Sequence, residues 1–250
     1  MPYRNFGLDE VARYLHLSRA DVEHLLKTQA IPFEKHGRRV VFRKVDIDSW
    51  ASQRILGMAG KRLADYHQGS PQAAQESFRH EALLPERLRP GFIDPALPAK
   101  TKASVLREMA QLARKTGRVY DPEALLAELK AREELCSTGV PGGLALLHPR
   151  HPEPYLFESP LIVLGRTVQQ IPFGAPDGGG TDLFFLIGCP DDRMHLHILA
   201  RLCLMAQRSE VLAGLRQAET AEAMYEMMIN SELAVLDAQP GLGHSLLPRD

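Results

Sequence analysis

His148 stands at a place in the chain where chemistry is common. It directly follows the apolar run LALL, residues 144–147, which in turn follows a glycine-rich turn over residues 139–143. A histidine at the end of a buried strand can serve as a nucleophile, a general base or a metal ligand. Attack on phosphorus would require an unprotonated ring nitrogen and hydrogen-bond donors for the phosphoryl oxygens. Arginine is the best fixed donor for such oxygens.

Two further residues could complete a phosphoryl site around His148. Arg132 precedes the glycine-rich turn and could bring its guanidinium back to it. His195, in the segment MHLH, could hold a phosphoryl group by a hydrogen bond or by electrostatic attraction. Zinc binding is the alternative, because His148, His151, His195 and His197 could gather around one ion. The prolines of HPRHP place the first two on a loop, and no cysteine or acidic residue has matching spacing, which makes metal binding the weaker interpretation.

The elements that must position these residues follow from apolar spacing. Thr101 and Asp121 are the expected N-caps of two helices, and Pro122 fits the first turn of the second. Apolar residues recur at helical spacing through both segments. The LALL run predicts a buried strand. Helical and strand-like segments alternate over residues 81–232, which is the pattern of an α/β domain.

The composition is that of a globular protein with two unequal parts. The 250 residues are enough for two modest domains. No apolar run is long enough to cross a bilayer, and no signal peptide is recognisable. Cys136, Cys189 and Cys203 form no CxxC pair, so a reducing cytoplasm is expected. Residues 1–65 have a net charge of +4 and the remainder −5, which indicates a nucleic-acid partner for the N-terminal part.

Residues 5–65 are expected to fold as helix, turn, helix, hairpin and helix. Apolar residues at positions 8, 11, 12 and 15 share one helix face, and Ser18 with Asp21 forms a capping-box sequence for a second helix. The short gap between the two helices fits the tight turn of a helix-turn-helix. Residues 31–42 predict two short strands that reverse near Gly37, and a helix that carries Trp50 follows them.

The segment LDEVARYLHLSRADVEHLLKTQAIPFEKHGRRVVFRKVDIDSW resembles the winged helix-turn-helix domain of the excisionase/MerR type. That family binds DNA with its second helix in the major groove and its wing on the backbone or in the minor groove. The resemblance implies DNA contacts from Arg19, His24, Lys27, Lys35, Arg38, Arg39 and Arg43. Because a charge of +4 is modest, useful affinity would require a homodimer on paired half-sites. A dimerisation or docking module is the alternative.

The segments REELCSTGV, LALLH, IPFGAPDG and HLHILARL occur in this order and resemble the fructose/mannitol-type enzyme IIA domain of the bacterial phosphotransferase system, closest to its nitrogen-regulatory branch. The resemblance covers residues 83–232. It implies an α/β fold of enzyme IIA type 2, with a mixed sheet and flanking helices. It also implies that His148 accepts a phosphoryl group from a histidine phosphocarrier protein, that Arg132 offsets its charge and that His195 orients it. The implied supporting residues are His197, Ser137 and Thr138. No metal ion or other cofactor is implied.

The sequence departs from that family next to His148. The family usually has proline before this histidine and glycine or alanine after it, whereas Leu147 precedes it here and Pro149 follows. Pro149 removes a backbone N–H beside the reactive ring. Cys136 stands where the family prefers glycine, and DGGGTDL replaces the more usual DGxPVDL. These departures leave the core of the motif intact.

The expected organisation is a DNA-binding domain over residues 1–65, a linker over 66–80, an enzyme IIA type-2 domain over 81–233 and a tail over 234–250. The expected function is a regulatory, cytoplasmic phosphocarrier without membrane insertion, in which phosphorylation of His148 is coupled to DNA binding. A IIB domain or a regulatory protein would be a further partner. Two alternatives stay open: a non-catalytic transcriptional regulator whose IIA-like domain only docks partners, and ordinary sugar uptake through a IIB domain. The chain is a phosphohistidine phosphotransferase component only if His148 is phosphorylated.

Overall fold

The computed structural model describes residues 5–15, 17–37, 39–69, 82–151 and 155–238, apart from the side chains at positions 68, 69, 192 and 193. Arg38 lies outside the described residues. So do residues 70–80 of the expected linker and residues 239–250 of the expected tail.

The N-terminal domain, residues 5–69, has the predicted helix-turn-helix and wing. Its elements are β1 (Asn5–Phe6), α1 (Leu8–Leu15), α2 (Arg19–Lys27), β2 (Glu34–His36), β3 (Arg39–Arg43), α3 (Lys44–Leu56) and α4 (Lys61–Gly69). The side chain of Ser18 accepts from the backbone N–H of Asp21, whose carboxylate accepts from the backbone N–H of Ser18. The capping box is therefore confirmed. β3 pairs antiparallel with both β1 and β2, and the β2–β3 hairpin forms the wing.

The C-terminal domain, residues 82–238, is the predicted α/β unit. Its elements are α5 (Leu84–Arg87), a 3-10 helix (Pro90–Phe92), β4 (Ile93–Asp94), α6 (Lys102–Lys115), α7 (Pro122–Leu135), β5 (Gly139–Val140), β6 (Leu144–Leu147), β7 (Leu161–Pro172), β8 (Gly180–Gly188), α8 (Asp192–Ala206), α9 (Ser209–Gln217) and α10 (Ala221–Asp237). The strand order is β4-β7-β8-β6-β5. β4 is parallel to β7 and β6 to β8, whereas the other pairs are antiparallel. The mixed sheet with flanking helices is confirmed.

The parallel strands β6 and β8 bring two loops to one edge of the sheet. All four residues of β6 are buried, as the apolar run predicted. His148 follows β6, and Asp191 follows β8 as the N-cap of α8. Because parallel strands end at the same edge, the start of α8 lies beside His148. Thr101 and Asp121 cap α6 and α7 through their side chains, as expected from the sequence.

Two helices extend past the expected domain boundaries. α4 continues to Gly69, into the expected linker, and α10 continues to Asp237, past residue 233. The polar composition after Tyr66 suggested a linker, but His67 is buried because α4 packs on α8. The contact with α8 stabilises this part of α4 in spite of its polar composition. The residues around the boundary give no sign of that contact.

The two domains share one packed interface. α3 and α4 both lie along α8, and the buried apolar residues of the two domains form one cluster. Arg201 of α8 donates from Nε to Nε2 of His67 at 2.8 Å, and from Nη1 to Glu232 of α10 at 2.8 Å. The ring of His67 stacks on His197 with 4.4 Å between centroids. The N-terminal domain is therefore seated on the C-terminal domain by buried polar contacts as well as by apolar packing.

Candidate active site

The ring of His148 has a hydrogen-bond partner at each nitrogen. Nδ1 lies 2.9 Å from the carbonyl oxygen of Leu146, and Nε2 lies 2.9 Å from Nε of Arg132. A carbonyl oxygen can only accept, so Nδ1 carries the proton. The Nε–H of arginine can only donate, so Nε2 has the lone pair. The neighbours thus assign the tautomer, and Nε2 is the nucleophilic atom.

The guanidinium of Arg132 is buried at the end of α7 and faces this lone pair. Its Nη1 donates to the carbonyl oxygen of Cys136 at 3.0 Å. Nη2 is also buried, and it has no hydrogen-bond partner within the described residues. A buried donor without a partner is unfavourable unless a ligand satisfies it, and phosphoryl oxygens match a guanidinium well.

His195 lies beside His148 in the second turn of α8. The centroids of the two rings are 4.9 Å apart, and their planes meet at 50°. α8 begins at the N-cap Asp191, whose carboxylate accepts from the backbone N–H of Met194 at 2.8 Å. The N-terminal end of a helix favours negative charge. The structure therefore brings together the three residues that the sequence singled out for phosphoryl chemistry.

Both rings are uncharged at neutral pH. Burial holds the pKa of His148 well below its usual value of 6.5, and the charge of the Arg132 guanidinium lowers it further, as would a proton on His195. Burial and the Arg132 guanidinium lower the pKa of His195 to about 4. The lone pair on Nε2 is therefore available at pH 7, which is the condition that nucleophilic attack on phosphorus requires.

Ser137 and Thr138 belong to the turn that follows α7, and neither has a hydrogen bond to His148 or Arg132 within the described residues. The hydroxyl of Ser137 donates to the carbonyl oxygen of Phe173 at 2.8 Å. Thr138 donates to the buried carboxylate of Glu133 from its backbone N at 3.1 Å and from Oγ1 at 2.6 Å. Both residues thus hold the turn that follows α7.

The structure places His197 away from His148. Side chains two residues apart on a helix point about 200° apart, so His195 faces His148 while His197 faces α4. Nδ1 of His151 is hydrogen-bonded to the carboxylate of Glu128 at 2.9 Å. Within the described ranges, no three His, Cys, Asp or Glu side chains are grouped as a metal site requires.

A small cavity lies against His148, and sequence reasoning missed most of its lining. Its volume is about 20 Å³, which is room for one water molecule. This His148 cavity is lined by Tyr14, Asp48, Ser49, Ser52, Arg132, His148, Pro149, Arg150, Cys189, His195 and Leu196. The buried Nε of Arg150 has no hydrogen-bond partner in the part of the chain that the structure describes, so it is a second open donor. The only sequence signal for Arg150 was its place beside His148.

The predicted DNA-binding residues that the structure describes lie on the surface of the N-terminal domain. Arg19, His24 and Lys27 are on α2, and Lys35, Arg39 and Arg43 are on the wing strands. Arg38 is outside the described residues. Two of the arginines have acidic partners, Arg19 with Asp9 and Arg43 with Asp46, each at 2.7 Å. These ion pairs offset part of the positive charge that the sequence suggested.

The sequence and the mixed sheet of the C-terminal domain have counterparts in known proteins. Residues 86–231 match the family described as phosphoenolpyruvate-dependent sugar phosphotransferase system, EIIA 2. The chain therefore belongs to this EIIA type 2 family. Residues 6–55 match the helix-turn-helix domain family. Among the helices of the described residues, none has the length and apolar character needed to span a membrane.

Within that family, the chain is similar to nitrogen regulatory proteins. The nitrogen regulatory protein of Pseudomonas aeruginosa is 32% identical over 149 residues, which cover 59% of this chain and 95% of the relative. The crystal structure of nitrogen regulatory protein IIA-Ntr from Neisseria meningitidis matches with a TM-score of 0.52 at 24% identity, over 59% of this chain and 99% of that one. The mannitol enzyme IIA of Escherichia coli, in complex with phosphorylated enzyme IIB, matches with a TM-score of 0.51 at 19% identity, over 58% and 98%. These two structures share the fold.

Proposed function

We propose that this chain is a regulatory phosphocarrier. His148 accepts a phosphoryl group from a histidine phosphocarrier protein, and the N-terminal domain binds DNA. The observation that carries the proposal is the lone pair on His148 Nε2, which faces Arg132 in a cavity with open donors. Similarity to nitrogen regulatory proteins supports a regulatory role. A phosphohistidine and a DNA-binding domain in one chain would couple phosphoryl supply to transcription.

The transfer step leaves the Nδ1 proton of His148 in place. Nε2 forms a bond to phosphorus while the N–P bond of the donor phosphohistidine breaks, and the electron pair of that bond returns to the donor ring. When the donor ring carries a proton on its other nitrogen, it leaves as neutral imidazole and His148 becomes the phosphoimidazolium. Arg132 first releases Nε2, and then its guanidinium and that of Arg150 donate to the phosphoryl oxygens.

Labelling of the full chain tests phosphoryl acceptance. The chain is incubated with enzyme I, a histidine phosphocarrier protein and radiolabelled phosphoenolpyruvate. We expect an acid-labile phosphate in the wild type and in His151→Ala, which removes a neighbouring ring outside the His148 cavity. We expect none in His148→Ala. No label in the wild type, or label that persists in His148→Ala, contradicts the proposal.

The exposed basic residues of α2 and the wing support DNA binding by the N-terminal domain. The full chain is used to select binding sequences from random DNA, and its affinity for the selected DNA is measured with and without phosphorylation. We expect phosphorylation to change this affinity, and a homodimer to bind paired half-sites. Equal affinities rule out the coupling, and failure to select any sequence rules out specific binding.

A second candidate is a regulator whose C-terminal domain docks partners without accepting phosphate. The observation that favours it is that His148 is only 3% exposed. The labelling experiment separates the two candidates, since a pure docking domain takes up no phosphate.

A IIB domain is a further candidate partner, because the Escherichia coli mannitol enzyme IIA forms a complex with phosphorylated enzyme IIB. Transfer of label from this chain to a IIB domain would support sugar uptake. We also propose a cytoplasmic location, which the thiol state of Cys136, Cys189 and Cys203 supports.

A further inference from the structure

Residues of α3 lie against the phosphorylation site. Asp48, Ser49 and Ser52 of α3, with Tyr14 of α1, supply part of the lining of the His148 cavity. His148 itself is 3% exposed. All four of these lining residues belong to the N-terminal domain. The site is therefore narrowed by a part of the same chain.

With α3 in this position, the space at His148 is too small for a phosphoryl group. Its volume of about 20 Å³ admits one water molecule, whereas a phosphoryl group adds a phosphorus and three oxygens. A donor protein must also bring its phosphohistidine to bonding distance from Nε2 of His148, across the face on which α3 lies. The N-terminal domain must therefore move away before the transfer, and it cannot return to the same position while the phosphate is present.

The negative charge of a phosphoryl group also disfavours the closed position, as its size does. The carboxylate of Asp48 lines the cavity, and it accepts from the hydroxyl of Tyr14 and from Nζ of Lys44, the latter at 2.8 Å. A phosphoryl group on His148 brings about two negative charges close to this carboxylate. The positive charges of Lys44 and Arg132 offset part of the repulsion, which leaves the lack of space as the main effect.

A second set of contacts, outside the cavity, also stabilises the closed position. Arg201 donates to His67 and to Glu232, and both Arg201 and Glu232 are fully buried. Near the end of α8, the side-chain oxygen of Gln207 accepts from the backbone N–H of Gly60 at 3.0 Å. The bonds of His67 and Gly60 join the N-terminal domain to α8, so they break when the domain moves away. Their strength sets how often the site opens.

We propose that the N-terminal domain is an intramolecular cover of the phosphorylation site, and that its closed position and phosphorylation of His148 exclude each other. This inference rests on the function proposed above. The phosphoryl donor competes with α3 for one face of the C-terminal domain. Once His148 is phosphorylated, the N-terminal domain stays away from that face, and the surfaces of α3 and α4 that contact α8 become available to solvent or to other partners.

Alkylation of Cys189 reports opening of the cover directly. Cys189 lines the His148 cavity and is 2% exposed. We expect iodoacetamide to modify it slowly in the unphosphorylated chain and about 5-fold to 150-fold faster after phosphorylation, which is the usual range of coupling between two sites. Cys203 of α8 is also buried, and burial raises the pKa of its thiol to about 12. Far-UV circular dichroism of both states is the control for unfolding. Peptide mass spectrometry follows the two thiols separately.

Two variants weaken the closed position without touching the cavity. His67→Ala removes the partner of Arg201, and Gln207→Ala removes an exposed side chain, so the second variant keeps the test valid if the first does not fold. We expect both to accelerate alkylation of Cys189 and phosphorylation of His148. For His67→Ala the increase is about tenfold or more, as expected for loss of a charge-assisted hydrogen bond. His36→Ala removes an exposed ring on the wing and is the matched control.

The outcomes separate the cover from the phosphocarrier function. If Cys189 is alkylated at the rate of the unphosphorylated wild type in both variants and in the phosphorylated chain, the proposed cover is wrong, whatever the labelling shows. Faster alkylation in the variants, with no phosphate on His148 in any protein, supports the cover and contradicts the phosphocarrier function. Faster alkylation together with faster labelling supports both.

Discussion

The Nε–H of Arg132 lies 2.9 Å from the lone pair of His148 Nε2. This bond fixes the orientation of the ring, and it also occupies the atom that attacks phosphorus in the proposed function. Nη1 is held by the carbonyl oxygen of Cys136 at 3.0 Å, while Nη2 has an open donor position within the described residues. A small rotation of the guanidinium can therefore free Nε2 and present donors to the phosphoryl oxygens. In the proposed function, Arg132 thus restrains the ring of the free state and would stabilise the phosphorylated one.

Arg132→Lys keeps a positive charge but loses the planar set of donors. We expect the rate of His148 phosphorylation to fall about 100-fold, as is typical when a fixed donor to developing negative charge is lost. Rapid-quench single-turnover labelling measures this rate. Arg107→Lys, on the exposed face of α6, is the control and keeps the wild-type rate. A wild-type rate in Arg132→Lys would mean that charge alone is sufficient.

The lowered pKa of His195 predicts a loss of stability in acid. The unfolded chain binds a proton at His195 near pH 6.5, whereas the folded chain does so only near pH 4. The stabilisation is therefore complete above pH 6.5 and is lost as the pH falls towards 4. We expect His195 to lower the free energy of unfolding by about 2 kcal/mol between pH 7 and 5.

Urea unfolding at pH 7, 6 and 5 measures this effect. His195→Asn keeps a polar side chain without the titrating ring and should show a smaller decrease, although His148 still contributes in the same direction. Identical pH dependence in the variant and the wild type would show that His195 keeps an ordinary pKa in the folded chain.

Glu133 is expected to position the site through the turn that follows α7. Its buried carboxylate accepts from Thr138 and from Nζ of Lys102, the latter at 2.7 Å. We expect Glu133→Gln to lower the free energy of unfolding by about 2 kcal/mol and Thr138→Val by about 1 kcal/mol. Denaturant titration measures both changes. Slower phosphorylation in Glu133→Gln shows that the turn positions Arg132, whereas an unchanged rate limits Glu133 to stability.

Lys27 and Arg39 are expected to contact DNA phosphates. We expect Lys27→Ala and Arg39→Ala to weaken binding of selected DNA at all sequences, and each to reduce the slope of log affinity against log salt by about 1. Fluorescence anisotropy at several salt concentrations measures the slope. Lys115→Ala, an exposed lysine of the C-terminal domain, is the control. An unchanged slope in the first two variants would show that Lys27 and Arg39 do not contact DNA phosphates.

Local sequence signals predicted the parts of the structure that local forces determine. The caps Ser18, Thr101 and Asp121 and the buried strand before His148 are all confirmed. The residues alone left the gathering of Arg132 and His195 around His148 as one possibility, and the family resemblance made it the expectation, because these residues meet only through the sheet and α8. Helical periodicity alone indicates that His197 points away from the side of His195.

The cover over His148 had no signal in the sequence. Tyr14 and Asp48 lie 100 residues or more from His148 along the chain, and their local context is that of ordinary helices. His67 stood in a polar segment, but it is buried against α8. Contacts between domains depend on matching surfaces, which a single sequence does not reveal.

In the proposed cover, α3 and His148 belong to one chain, so α3 competes for the face at His148 at all protein concentrations. A tethered competitor has a fixed effective concentration, which dilution does not change. A phosphocarrier protein must therefore displace α3 against the same effective concentration, whether the cell holds few copies of this chain or many. The concentration of phosphocarrier protein at which half of the chains are phosphorylated then depends on the affinity of that protein and on the strength of the contact between the two domains. It does not depend on how much of this chain the cell makes.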